Sequence, residues 1–254
     1  PLPLSPRATI RRMRAWSTGV LITFLGTLLI SFLPSSPTLQ AQACPAKQIL
    51  FVGSSAPLAA RDESLRTYLS ALGHNVTVRA AAAVQAADAN GKELVIISES
   101  SESVEVNTKL RHVTAPLVTW EAWLQDELGM TGASEASDYG EDLRQQTIRI
   151  VNPNHPLAGS LSGVVTTVSN NRAKFHWGAP NANATMIAVD PANSQHARIY
   201  AYEQGVQMVG MAAPARRVFI HNATGTALTA GGWQLFEAAV NWAMGCTGAT
   251  TPPT

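Results

Sequence analysis

Four short apolar runs, each followed by a stretch of different periodicity, occupy the first half of the chain. ILFV (49–52) ends in Gly53-Ser54-Ser55 and reads as a buried strand. In ESLRTYLSALG (63–73), Leu65, Leu69 and Leu72 fall on one helical face. Asp62 is placed to cap that helix and Gly73 to end it. HNVTV (74–78) is a second strand, and the Ala-rich AAAAVQAADAN (80–90) reads as a helix. LVIIS (94–98) is a third strand, VEVNTKLRHV (104–113) a helix, and PLVTW (116–120) a fourth strand running directly into a helix start. Strands alternating with helical segments predict βαβ units, a parallel sheet and helices on both of its faces.

The second half has another texture. TIRIV (147–151), VVTTV (164–168), TMIAV (185–189), RIYAYE (198–203) and RRVFIH (216–221) are β-rich runs divided by Asn, Pro and Gly turns. They predict an antiparallel extension. The chain then returns to a helical period in ALTAGGWQLFEAAVNWAMG (227–245). There Trp233, Phe236, Val240 and Ala243 share a face and Thr229 is the candidate cap.

Residues 1–43 are expected to lie outside the folded domain. Arg11, Arg12 and Arg14 precede fifteen uncharged residues (19–33), and Ala41 and Ala43 stand at −3 and −1 of a cleavage position. This is the pattern of a removed secretory signal, with a retained anchor as the alternative. The expected organisation is therefore a leader (1–43), one α/β domain (44–246) and a Thr/Pro tail (247–254).

The charge follows the same division. The full chain carries 18 Lys+Arg and 17 Asp+Glu, and the leader takes Arg7, Arg11, Arg12 and Arg14 with no acid. The remainder has 14 basic against 17 acidic residues, a net −3. With no basic cluster beyond Arg216-Arg217, a nucleic-acid partner is not expected, nor is a membrane once the leader is cleaved. The two cysteines, Cys44 and Cys246, are expected to form a disulfide, as is the default in an exported chain. Free thiols and a lipid-modified Cys44 are the alternatives.

The strand–helix series from ILFVG to LVIIS resembles the opening of class I glutamine-amidotransferase-like domains, and more narrowly their ThuA-like branch. VNPNHPLAGSLSG (151–163) and RRVFIHNATGTALTAGGWQLFEAAVNWA (216–243) are similar to later segments of that branch. The resemblance implies a three-layer α/β fold with a flavodoxin-like parallel core. To this the β-rich second half and the C-terminal helix are added. It also implies where a reactive site should be: a Cys on a glycine-flanked elbow after a central strand, activated by a His-x-Glu pair after a later one.

Here the elbow reads Thr119-Trp120-Glu121-Ala122-Trp123, with no Cys. His221 stands at the later strand, but Ala223 occupies the place of its acid. The expectation is a catalytically degenerate domain that binds rather than reacts. Carbohydrate or another cell-surface polymer is the expected partner, because the ThuA-like branch is linked to sugar metabolism and because Trp120 and Trp123 offer aromatic faces beside a carboxylate. The candidate binding residues are Trp120, Trp123, Ser98 and Glu99. The rival expectation is a secreted hydrolase or sugar-processing enzyme in which Glu121 and His221 meet across the cleft and exchange a proton. No cofactor is expected. No metal is expected either, since the six histidines show no ligand-pair spacing.

Overall fold

A computed structural model describes residues 44–246. The expected signal segment (1–43) and the expected tail (247–254) lie outside the described residues. Within them, the first strand β1 (Gln48–Gly53) pairs in parallel with β2 (Asn75–Ala80) on one side and β3 (Leu94–Ile97) on the other. β3 is followed in the sheet by β4 (Leu117–Thr119), again parallel. A strand from late in the chain, Arg217–Ile220, then lies parallel to β4. Five parallel strands thus run in the order second, first, third, fourth, fifth, which is the flavodoxin-like arrangement.

The β-rich half extends this core. Its strands are β5 (Tyr139–Gln145), β6 (Thr147–Ile150), β7 (Gly163–Thr166), β8 (Ala173–Gly178), β9 (Thr185–Val189) and β10 (Ala197–Tyr202); the parallel strand Arg217–Ile220 is β11. The full sheet runs β2-β1-β3-β4-β11-β10-β9-β6-β7, antiparallel from β11 outward. β5 and β8 form a ribbon that joins the sheet through a single register pair, Gly178 with Ala197. This ribbon was not legible from the apolar pattern.

β1, β3 and β4 are apolar on both sides because each face is covered. One face packs against α1 (Ala60–Ala71), through Leu65 and Leu69, and against α3 (Ala230–Ala243), through Leu235, Phe236 and Val240. The cap of α3 is the expected one, Thr229 Oγ1 accepting from the Gly232 N–H at 3.2 Å. Gly232 itself is required, because a Cβ there would run into the Thr167 carbonyl.

The opposite face is covered differently from the expectation. Residues 80–90 are not a helix: β2 continues to Ala80, and only two 3-10 turns follow, Ala81–Ala83 and Ala86–Ala89. Alanine favours helix locally, but this segment buries only Ala81, Val84 and Ala89 and lacks a stripe of large apolar side chains to hold it down. The segment 104–113 likewise forms one α turn, α2 (Ser103–Val106), and one 3-10 turn, Asn107–Leu110. Asn107 breaks it at φ 46°, where its side chain takes the Thr108 N–H at 2.7 Å.

Asp62 does not cap α1. The helix begins at Ala60, and the buried Asp62 carboxylate instead accepts from the hydroxyls of Ser98 and Ser100. Cys44, just before β1, is disulfide-bonded to Cys246, just after α3, with Cα atoms 5.4 Å apart.

Candidate functional site

The carboxyl ends of β3, β4 and β11 open into a cleft of ≈ 390 Å³, where open parallel sheets place their ligands. β3 delivers Glu99, the segment after β4 delivers Glu121 and Trp123, and the segment after β11 delivers Asn222 and Thr224. Arg61 reaches in from the first turn of α1. The far wall is the β5/β8 ribbon, through Glu141, Lys174 and His176. In its register Glu141 pairs with His176, so the two share one face of the ribbon.

Two of the three carboxylates are matched by cations. Arg61 lies 3.2 Å from Glu99, and Lys174 bonds both oxygens of Glu141 at 3.1 Å. Thr224 Oγ1 adds a hydrogen bond to Glu99 at 3.3 Å. Among the described residues Glu121 has no such partner. Its Oε1 accepts only the Trp123 N–H at 3.2 Å, and burial pushes its carboxyl up to about 8. That N–H works against the rise, while the charges of Glu99, Glu102 and Glu127 add to it. At neutral pH Glu121 therefore holds a proton that it can donate to a ligand.

His176 is buried, and its Nδ1 hydrogen-bonds the Trp120 carbonyl. A carbonyl only accepts, so Nδ1 carries the hydrogen. Nε2 lies 4.0 Å from Glu141 on the cleft side and is the ring atom left for a ligand.

The candidate residues separate cleanly. Glu99, Glu121 and Trp123 line the cleft; Ser98, Trp120 and His221 do not. Trp120 is wholly buried between Phe51 and Phe236, at ring-centroid distances of 6.3 and 6.2 Å, and has no face for a ligand. Ser98 spends its hydroxyl on Asp62 at 2.6 Å. His221 is buried, with Nε2 2.8 Å from Thr167 Oγ1 and its ring against Phe175. Its hydrogen-bond partner is thus Thr167, not Glu121, and the acid–base pair expected from the sequence is not assembled. Burial, followed by the positive charge of Arg198, holds His221 well below the usual histidine range, so it is neutral.

The elbow also departs from what a nucleophile needs. Glu121 sits at φ −83°, ψ 117°, relaxed extended backbone, and a 3-10 turn, Ala122–Leu124, follows in place of a helix. Nothing there is strained. Arg61, Glu141, Lys174 and His176 were missed by the sequence reading. The signal for two of them was present in AKFHWG (173–178), where Lys174 and His176 alternate with Phe175 and Trp177.

No protein-family model matches the sequence, and no curated protein matches it. Similar solved structures include a ThuA-like protein from Bacteroides uniformis and a glutamine amidotransferase from Thermotoga maritima. The first is 10% identical at a TM-score of 0.47, over 82% of this chain and 95% of that one. The second is 6% identical at a TM-score of 0.46, over 77% of this chain and 81% of that one.

Proposed function

We propose that this chain is an exported, non-catalytic domain of amidotransferase-like architecture that binds carbohydrate in the cleft above β3, β4 and β11. The observation that carries the reading is the company Trp123 keeps. Its partly exposed indole shares a ≈ 390 Å³ cleft with Glu99, Glu121 and Glu141, and an apolar ring beside planar hydrogen-bonding groups matches the two surfaces of a sugar.

Charge narrows the class to neutral sugars. The Arg61–Glu99 and Lys174–Glu141 pairs cancel, and Glu121 is protonated at neutral pH. A polyanion or polycation gains nothing from such a cleft, whereas hydroxyl groups find donors and acceptors already held in place.

Absence of reaction is supported by the sequence and the site together. Both cysteines are joined in the disulfide, and the histidine that would serve a nucleophile is buried against Thr167. Export is supported by the basic-then-apolar leader pattern and by the Cys44–Cys246 bond, since such bonds persist in oxidising compartments. The test is a glycan-array screen of the protein alongside Trp123→Ala. Binding of neutral glycans that the variant loses supports the reading; binding to no glycan, or equal binding by the variant, rejects it.

A further inference from the structure

A second cavity, ≈ 400 Å³, adjoins the first. It is bordered by Glu135, Asp142, Trp177 and His196, and it shares two residues with the cleft, Trp123 and Glu141. The sharing follows from the ribbon. Glu141 pairs with His176 on one face of β5/β8, while Gly140 pairs with Trp177 and Asp142 with Phe175 on the other. Among the described residues β8 is the one strand that pairs with β5, whose Tyr139 also makes an isolated bridge to Glu135. Glu141 and Trp123 border both cavities.

The second cavity has its own built features. The imidazole of His196 lies flat on the Trp177 indole, centroids 3.8 Å apart and planes 5° apart. Asp142 Oδ2 fixes that imidazole through Nδ1 at 2.8 Å and is itself held by Arg198 at 2.6 Å. Glu135 takes the Trp123 indole N–H at 3.1 Å, fixing the shared ring from the second-cavity side. An aromatic wall, oriented carboxylates and a fixed imidazole thus recur next to the first site, with one indole common to both.

Resting on the carbohydrate reading above, we infer that the ligand is an oligosaccharide that crosses Trp123, one unit in each cavity, and not a single sugar. Two cavities joined by a shared ring favour a chain long enough to fill both, because the second unit binds with its translational freedom already lost. The first cavity supplies Glu121 and His176 to one unit. The second supplies Glu135 and the Trp177–His196 stack to the next.

The experiment is calorimetric titration of the protein with neutral malto-, cello- and N-acetylchito-oligosaccharides, from monosaccharide to hexasaccharide. In the series that binds, affinity should rise about tenfold or more from the monosaccharide to the di- or trisaccharide and then level off. His196→Ala, at a residue outside the first cavity, should weaken the trisaccharide by roughly three- to tenfold and leave the monosaccharide unchanged, and Glu135→Gln, which keeps an oxygen for the Trp123 indole, should weaken the trisaccharide to a similar degree. Affinity independent of length, or a trisaccharide indifferent to both variants, overturns the two-cavity inference and leaves the carbohydrate reading standing. Failure of every series at every length overturns both.

Discussion

Trp123 meets His176 edge to face, ring centroids 5.8 Å apart and planes at 79°. The same imidazole is tied on its Nδ1 side to the carbonyl of Trp120. The two tryptophans of the elbow therefore serve opposite ends: Trp120 anchors the core, and Trp123 forms the cleft wall. Trp120→Ala should cost about 3–5 kcal/mol of folding stability, as for large aromatic truncations in cores. Trp123→Ala should cost about 1 kcal/mol or less in stability, being partly exposed, yet remove about tenfold or more of ligand affinity. Urea denaturation and titration on the same two variants separate these effects.

Glu121 and His221 should tilt stability in opposite directions with pH. Glu121 keeps its proton in the folded state up to about 8, whereas an unfolded glutamate loses it near pH ~4.3. Its contribution is complete below the unfolded value and lost as pH rises through the folded one. His221 remains neutral when folded, so acid favours the unfolded chain below pH ~6.5. Between about 4.3 and 6.5 the two partly cancel, and of the two only Glu121 acts above 6.5. From pH 6.5 to 8 the denaturation midpoint should fall for the parent and fall less for Glu121→Gln, in which Glu127, also pushed up to about 7 by burial, still loses its proton. Glu121→Gln should gain roughly 1–3 kcal/mol at pH 8.

His221→Gln should leave ligand affinity unchanged, because the ring lies outside the cleft lining. It should remove the share of acid destabilisation below pH ~6.5 that His221 contributes. A loss of binding with the fold intact would show that His221 reaches the ligand after all.

Reduction of Cys44–Cys246 opens a loop with a sequence separation of 202 residues. The chain-entropy relation gives about 5 kcal/mol for a loop this long, and measured bonds give about 2–4 kcal/mol. Thermal denaturation with and without reductant should show a lower midpoint for the reduced protein.

The sequence disclosed most of the parallel core, because β1, β3 and β4 are apolar on both faces and so short that only strands fit. It disclosed α3 through its apolar face and its Thr229 cap. It misled at residues 80–90, where alanine content stood in for an amphipathic stripe, and at Asn107, whose side chain competes with the helix. β5 (YGEDLRQ) was hidden because its acidic residues disfavour strands, and its conformation depends on pairing with β8. Half of the site was hidden with it. Glu99, Glu121 and Trp123 follow strands that could be read locally, whereas Glu141, Lys174 and His176 reach the cleft only through that ribbon, and Arg61 only through the packing of α1.

The central claim, that Trp123 forms the wall of a neutral-sugar cleft, is tested most directly by titrating a neutral oligosaccharide that the protein binds against parent and Trp123→Ala, with far-UV circular dichroism confirming the fold of each. The variant should stay folded and lose about tenfold or more in affinity. A folded variant that binds the same oligosaccharide as tightly as the parent would contradict the claim.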